Sequence, residues 1–297
     1  MKNRTLSASA LICATLLSSV AHAQSLWSIA LVAGTNAGDP GSLHAMDSQS
    51  STTGALSQAV TNSSFTGLDR ANATQTMNFQ AVNRASAEYG RLHIYSSASL
   101  TNSYYNANNP TYYDFATQQL NPGGSPSTLC SLGFAGFDDT LHFGGNLQSG
   151  YTARYIFRAE GTNSGSGPLA DLAVGIAGNP DESFFATWNG YSSEIWATQS
   201  YAISGTAAQS VHVQFSNQVV FDTDLYADGS NLTGLSDFSA TLTLTEVQIF
   251  NASGQQVFDV SATSDSGTIY QTPEPVSMIT LGLGLAGMLR RRKARTQ

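Results

Sequence analysis

Apolar and polar residues alternate along much of the middle of this chain. Between residues 151 and 158 the alternation is nearly strict, and its apolar positions are Tyr151, Ala153, Tyr155 and Phe157. A period of two is typical of a β-strand that buries one face. Further segments of strand composition are bounded by Gly, Asn and Ser turns, and they span residues 91–100, 169–176, 183–188, 194–203, 211–215, 219–226 and 242–250. Many short strands joined by such turns predict an all-β fold, an antiparallel β-sandwich, with jelly-roll connections as one arrangement of it.

The last of these segments changes parity along its length. Leu242 and Leu244 share one parity, whereas Val247 and Ile249 share the other. A β-bulge near Glu246 is needed if all four side chains are to reach the core. The Asn-Ala-Ser-Gly sequence at 251–254 predicts a turn, so we expect a hairpin here.

Two stretches lack this regularity. Residues 24–88 are rich in Ser, Thr, Asn, Ala and Gly and predict short strands and loops, with 76–88 as the one place for a short helix. Residues 101–128 are dense in Asn, Tyr, Pro and Gly and predict a long exposed loop. A plain surface loop is one interpretation, and a loop that presents tyrosines to a sugar is the other. These tyrosines are Tyr104, Tyr105, Tyr112 and Tyr113.

The first 23 residues have the order of a cleavable signal peptide. Two basic residues precede an apolar run over 6–20, and Ala21 and Ala23 supply the small side chains that a peptidase pocket requires. The apolar run is short for a membrane span, which favours cleavage by signal peptidase over an uncleaved anchor. The exported chain is then expected to begin at Gln24.

The C-terminal end begins with a break in regular structure. Pro273, Glu274 and Pro275 separate the β-domain from the apolar segment after them, because proline continues neither a helix nor a sheet ladder. Residues 276–289 are mostly apolar and predict a short transmembrane helix of roughly 21 Å, against a hydrocarbon layer of about 30 Å.

A basic tail closes the chain. It spans residues 290–297 and starts with Arg290, Arg291 and Arg292. Long arginine side chains can extend toward the interface and compensate for the short span. The positive-inside rule keeps this tail in the cytoplasm, so we expect the β-domain on the far side of the inner membrane.

This three-part order, with Gly-Leu-Gly-Leu-Ala-Gly at 282–287, resembles the PEP-CTERM sorting signal of Gram-negative bacteria. The resemblance covers residues 273–297. It implies recognition by exosortase, a membrane-embedded cysteine transpeptidase, with processing near Pro-Glu-Pro and release toward the cell exterior. Genomes with this system commonly also carry exopolysaccharide and biofilm genes. A generic C-terminal tail anchor is the alternative interpretation.

The chain therefore divides into three parts. Residues 1–23 form the signal peptide, residues 24–272 the exported β-sandwich domain, and residues 273–297 the sorting signal. We expect a protein that is anchored transiently in the inner membrane and then resides at the cell surface or outside the cell.

The exported domain is strongly acidic. The whole chain has a formal net charge of −8, but residues 24–272 contain five Arg, no Lys and nineteen Asp or Glu, which gives 5 − 19 = −14. Such a surface repels phosphate backbones, which argues against nucleic acid as a partner. Anionic membrane surfaces are disfavoured for the same reason.

A single cysteine, Cys130, remains once the signal peptide has been removed. One thiol forms no internal disulfide, so stability depends on the core. Free cysteine commonly behaves as a small buried hydrophobe, and that interpretation is favoured over pairing between molecules or a role as nucleophile.

Standard catalytic motifs are absent from residues 24–272. The sequence has no Gly-x-Ser-x-Gly, His-Glu-x-x-His, Cys-x-x-Cys or P-loop pattern there, so we expect neither an enzyme nor a bound cofactor. The histidines are isolated and are interpreted as surface or hydrogen-bonded residues rather than as ligands. They are His44, His93, His142 and His212.

Calcium is the one metal for which the sequence gives weak support. Asp222, Asp224 and Asp228 precede a glycine and could supply oxygen ligands, although their spacing departs from the EF-hand pattern and fits a solvated turn equally well. Asp138 and Asp139, near a histidine, form a second candidate pair.

Three short stretches look like features that recur in uncharacterised passenger domains of PEP-CTERM proteins. They are Tyr89-Gly90, residues 134–139, and Ser266-Gly267 with Tyr270. This looser resemblance supports the β fold and implies no activity.

The leading hypothesis is a non-catalytic exported surface or extracellular-matrix protein that associates with exopolysaccharide. A carbohydrate-binding module that uses exposed Tyr and Trp side chains is the first alternative. A secreted polysaccharide-active enzyme on the same sandwich is the second, and it requires paired carboxylates across a cleft.

Overall fold

The computed structural model describes most of the predicted β-domain. The described residues are 24–36, 42–52, 57–68, 76–102, 111–114, 119–122, 127–176, 179–188, 192–203, 208–221 and 231–270. The predicted signal peptide and the predicted sorting signal lie outside these ranges. Within them no helix is long and apolar enough to span a bilayer.

Seventeen strands make up the regular structure of the described residues. Five lie in the first third of the domain: β1 (Ser25–Asn36), β2 (Ser42–Ser51), β3 (Ser57–Leu68), β4 (Thr76–Glu88) and β5 (Arg91–Asn102). Six lie in the middle: β6 (Thr111–Asp114), β7 (Gln119–Pro122), β8 (Ser127–Gly145), β9 (Thr152–Gly165), β10 (Pro168–Ile176) and β11 (Asn179–Thr187). The last six are β12 (Ser193–Ala197), β13 (Tyr201–Ala202), β14 (Ala208–Phe221), β15 (Leu232–Phe250), β16 (Gln256–Val257) and β17 (Val260–Ser264).

Two antiparallel sheets pack face to face as a sandwich. The seven-stranded sheet has the order β11-β10-β14-β8-β1-β2, with β17 also beside β8. The eight-stranded sheet has the order β12-β9-β15-β5-β4-β3, with β13 beside β9 and β16 beside β15. A separate hairpin joins β6 to β7. The prediction of an antiparallel β-sandwich is therefore confirmed.

The predicted bulge and hairpin near the end of the domain are confirmed. The register of β15 against β9 shifts between Leu244 and Glu246, which brings both apolar pairs of this segment inside. The turn after β15 places β16 beside Ile249 and Phe250.

Other local predictions were wrong. Residues 76–88 form strand β4 rather than a helix, and residues 24–88 hold strands of 10 to 13 residues rather than short ones. The segment 194–203 contains two separate strands, β12 and β13. Within the predicted loop 101–128, the hairpin of β6 and β7 is regular structure.

A layer of hydrogen-bonded polar side chains divides the core between the two sheets. A large apolar cluster around Phe137, Tyr155 and Phe238 lies on one side of it, and a smaller cluster around Phe79 and Phe221 lies on the other. Four members of the layer are fully or almost fully buried, namely Asn83, Ser96, Ser131 and Asn217.

The contacts within this layer connect the sheets directly. The amide oxygen of Asn83 accepts from the Ser96 and Ser131 hydroxyls at 2.7 and 2.9 Å, and its amide nitrogen donates to the Leu31 carbonyl at 2.9 Å. Asn217 donates to the Ser236 carbonyl of the opposite sheet at 2.8 Å. Buried polar groups that are satisfied in this way fix the register of the two sheets against each other.

Candidate functional site

Both ends of the described domain meet at the middle of β8. Strand β1 pairs with the first part of β8 as far as Asp138, and β17 pairs with its last part from Leu141 onward. Strand β14 occupies the other side of β8 over most of its length. The first and last strands of the sandwich therefore share one side of the same strand, and Asp138 and Asp139 lie at the junction.

Asp139 holds the C-terminal segment of the domain from inside the sandwich. Its side chain is 1% exposed. One carboxylate oxygen accepts from the Ser266 hydroxyl at 2.7 Å and from the Tyr270 hydroxyl at 2.9 Å. The other accepts from the backbone amides of Thr140 and Ser266 at 2.9 and 3.2 Å. We call Asp139, Ser266 and Tyr270 the C-terminal clasp.

The clasp brings together the three stretches that resemble recurrent passenger-domain features. Gly90 adopts a φ of +76°, and a Cβ added there would lie 2.9 Å from the Tyr270 ring, so a glycine is required for both reasons. Tyr89 packs edge to face on Phe137 with ring centroids 6.3 Å apart. These stretches, separated in sequence, are thus parts of one packing unit.

Burial keeps the Tyr270 hydroxyl of the clasp protonated. The pKa of Tyr270 is raised, first by burial and then by the negative charge of Asp139. Burial and the charges of Asp139 and Asp138 also raise the pKa of Tyr89. The Tyr270 hydroxyl therefore keeps its proton and donates it to the carboxylate at all ordinary pH values.

Asp138 lies on the opposite face of the sheet, because successive side chains of a strand alternate. Its carboxylate accepts from the Ser25 hydroxyl at 2.5 Å and is 2.6 Å from Nδ1 of His212. The Trp27 ring lies directly over Gly136, where any Cβ would overlap it, and stacks with the His212 ring at a centroid distance of 6.0 Å.

The order of these groups differs from that of a hydrolytic triad. A triad needs a base between the nucleophile and the carboxylate. Here the carboxylate of Asp138 lies between the Ser25 hydroxyl and the His212 ring, since both bind it. This arrangement ties the start of β1 to β8 and β14.

A shallow groove lies on the outer face of the eight-stranded sheet. Its volume is about 580 Å³. Strands β3, β4, β5 and β15 supply its polar and aromatic side chains, which are Gln58, Arg84, Ser86, Glu88, His93, Tyr95, Asp237 and Ser239. We call this the sheet groove.

Two side chains of the sheet groove, Arg84 and Tyr95, stack on each other. The Arg84 guanidinium lies over the Tyr95 ring, 5.8 Å from its centroid. The two residues are paired neighbours on β4 and β5, so their side chains emerge on the same face. A cation held over an aromatic face is partly ordered before any ligand arrives.

A bulge in β15 shapes the other wall. The register of β15 against β5 shifts between Phe238 and Leu242, which pushes residue 239 out of the ladder. The Ser239 carbonyl then lies 2.9 Å from Nδ1 of His93. Because a carbonyl only accepts, Nδ1 carries the proton. Bulges commonly redirect side chains next to binding sites.

Only one of the two predicted groups of calcium ligands lies in the described structure. Asp138 and Asp139 point to opposite faces, and they share no site. Asp222, Asp224 and Asp228 lie outside the described residues, so that calcium site stays a prediction. Among the side chains that are described, no group of three or more His, Cys, Asp or Glu is arranged to hold a metal ion.

The other predicted residues have mixed outcomes. Cys130 is buried in a small apolar cluster with Leu31, Leu132 and Phe134, as expected of a structural thiol. His142 and His212 each lie within hydrogen-bond distance of a carboxylate, and His93 binds a backbone carbonyl. The interpretation of these three histidines as hydrogen-bonded residues is confirmed.

Several predicted residues fall outside what the structure describes. For the loop tyrosines, Tyr104 and Tyr105 lie outside the described residues, and only the strand pairing of Tyr112 and Tyr113 is described. The processing residues also lie outside it, namely Ala21, Ala23, Pro273, Glu274, Pro275, Arg290, Arg291 and Arg292.

Sequence reasoning missed the sheet groove and the polar layer. The alternation of apolar and polar residues in 91–100 places His93 and Tyr95 on one face of β5, so the sequence indicated that these two groove residues lie together. Arg84 was hidden because 76–88 was interpreted as a helix. Asp237 lies in the first part of β15, which was not predicted as a strand. Ser239 depends on the β15 bulge, for which the sequence around it gives no local signal.

Comparison with known proteins identifies a sorting motif at the C-terminal end. Residues 271–293 match the family model of the PEP-CTERM protein-sorting motif. The chain is thus a protein that carries this sorting motif, which implies processing by exosortase, export, and membrane-associated sorting to the cell surface. No curated protein and no solved structure matches the chain.

Proposed function

We propose that this exosortase-targeted protein is a non-catalytic component of the cell surface or extracellular matrix that associates with exopolysaccharide through the sheet groove. The observation that carries the proposal is the set of polar and aromatic side chains that converge there from four strands. Ligand-binding sites usually combine a concave surface with a few well-placed polar groups.

The chemistry of the groove suits a neutral polyhydroxylated ligand. Each sugar hydroxyl can both donate and accept a hydrogen bond. Arg84 supplies donors, and Glu88 and Asp237 supply acceptors. Tyr95 supplies a phenol hydroxyl and the ring that holds the Arg84 guanidinium in place. The groove contains one positively charged side chain, Arg84, and two negatively charged ones, Glu88 and Asp237, and the exported domain as a whole has a net charge of −14. A neutral polysaccharide therefore fits better than a phosphorylated or acidic one.

Affinity electrophoresis tests this proposal with the full chain in mild detergent. The protein migrates through native gels cast with dextran, soluble starch, xyloglucan or galactomannan, and retardation reports binding. We expect retardation by at least one of them. Tyr95→Ala and Arg84→Ala should each weaken binding by about tenfold, which corresponds to the loss of one buried contact of about 1.4 kcal/mol.

Arg158→Ala is the matched control. Arg158 lies on the outer face of the same sheet, outside the groove, and pairs with Glu160 at 2.5 Å. This variant should bind like the parent protein. Equal weakening by Arg158→Ala, or no retardation by any of the four polysaccharides, would contradict the proposal. Release of new reducing ends from a bound polysaccharide would favour the alternative of a secreted polysaccharide-active enzyme.

A further inference from the structure

The sorting motif begins directly after the last described residue of the β-domain. Tyr270 is 2% exposed and donates to Asp139, and the matched motif starts at residue 271. Two residues separate Tyr270 from Pro273, so the chain between them spans at most about 10 Å. A protein that binds the motif from Pro273 onward therefore lies against the end of the domain.

One large apolar side chain is exposed at this end. Ile269 is 86% exposed, although it stands next to the buried Tyr270. Its backbone is held on both sides, because Ser264 donates to the Thr268 carbonyl at 2.9 Å and Tyr270 is fixed by the clasp. An apolar group on an ordered backbone loses little conformational entropy when a partner covers it.

We propose that the end of the domain around Ile269 is part of the surface that the membrane enzyme of the sorting pathway contacts when it reads the motif. Ile269 is the apolar anchor of this contact, and the C-terminal clasp holds it in place. The enzyme thereby recognises the folded end of its substrate together with the linear motif. The proposal depends on the sorting motif and is independent of polysaccharide binding.

A pair of isoleucine variants tests the contact in cells that carry the sorting enzyme. Ile269→Asp replaces the proposed anchor, and Ile195→Asp is its matched control, since Ile195 is 71% exposed on the edge strand β12. Pulse-chase labelling of the full-length protein, followed by its change in mass, gives the rate of processing. We expect processing of Ile269→Asp to be about tenfold slower, as for the loss of one buried isoleucine contact, with Ile195→Asp unchanged.

A spacer variant tests whether processing depends on a contact with Ile269 or only on access of the enzyme to the motif. Gly-Ser-Gly-Ser inserted between Tyr270 and Gln271 leaves the clasp intact but moves the motif away from Ile269. We expect this insertion to slow processing to the same degree as Ile269→Asp. Unchanged processing in both variants, or faster processing with the spacer, would overturn the proposal.

The bilayer is the other possible partner of Ile269, and vesicles without the sorting enzyme test for it. An environment-sensitive dye attached to an Ile269→Cys variant in such vesicles should emit as it does in water, and the buried Cys130 should not take up the dye. Emission typical of a lipid surrounding would mean that the side chain contacts the bilayer and that the proposal is wrong. Purified Ile269→Asp and spacer proteins should unfold at the same urea concentration as the parent, which shows that neither change acts through the fold.

Discussion

Replacing Tyr270 with phenylalanine removes one hydroxyl from the C-terminal clasp and keeps the ring that packs on Gly90. The lost hydrogen bond runs to a buried carboxylate at 2.9 Å. Hydrogen bonds to charged groups contribute about 1.5–3 kcal/mol. Asp139 retains three other donors, so we expect the lower half of that range, about 2 kcal/mol of lost unfolding free energy. A domain of this size should then melt about 4–8 °C lower.

Urea unfolding of the full chain in mild detergent measures this loss. Fluorescence is a suitable signal, because Trp188 and Trp196 pack edge to face against each other and against Phe238 and Phe215 in the main core. Tyr151→Phe is the matched control. Tyr151 is buried in the main core and its hydroxyl lies outside the clasp, so its removal should change the unfolding free energy by less than about 1 kcal/mol.

A double-mutant cycle assigns the effect to the clasp. Asp139→Asn removes the charge and presents a donor to groups that are themselves donors, so we expect a loss of about 3 kcal/mol or more. The loss of unfolding free energy in the double variant should be about 1 kcal/mol smaller than the sum of the losses in the two single variants, because both substitutions remove the same hydrogen bond. Strict additivity, or equal stability of Tyr270→Phe and Tyr151→Phe, would refute the reasoning.

Two further predictions concern the core and pH. Asn83→Ala should cost about 3 kcal/mol in urea unfolding, because the buried Leu31 carbonyl loses its amide donor and the Ser96 and Ser131 hydroxyls each lose one of their two acceptors. The exposed Gln80→Ala should cost less than about 0.5 kcal/mol. Burial raises the pKa of both Tyr155 and Tyr270 above the ordinary value of 10.0, so above pH 10 the unfolded chain releases protons that the native chain keeps. These two tyrosines together should lower stability by up to about 2.7 kcal/mol per pH unit between pH 10 and 12, and Tyr89, whose pKa is also raised, adds to the slope. The slope should be smaller by about 1.4 kcal/mol per pH unit in Tyr270→Phe, whereas an equal slope in both proteins would exclude Tyr270 as a source.

The predictable parts of the fold are those in which large side chains alternate with polar ones. Strand β9 was identified because Tyr155 and Phe157 give its alternation a strong signal. Strand β4 was missed because its inward positions include Ala81, Ala85 and the polar Asn83. Small inward residues let the sheets approach closely, but they give little contrast in hydrophobicity, so the alternation resembles a helix-forming, alanine-rich segment.

The candidate site was less predictable because it depends on register. The sheet groove needs Arg84 on β4 to lie beside Tyr95 on β5, and Asp237 on β15 to lie beside Tyr95 on its other side. A single sequence states which residues alternate within a strand, but it does not state which strands are neighbours. The sorting motif, in contrast, is linear, and its residue order alone was sufficient to predict it.

The two aspartates of β8 connect the fold to sorting. Asp138 binds Ser25 at the start of the first strand, and Asp139 binds Tyr270 just before the sorting motif. Beyond Asp139, that side of β8 gains a partner only when β17 is in place. Unpaired backbone N–H and C=O groups inside a sheet raise the free energy of the fold. The sandwich is therefore complete only once the chain has been exported as far as residue 270. Under the proposed contact at Ile269, folding of the domain and reading of the motif are coupled through β8, because the clasp that holds Ile269 forms only on the completed sheet.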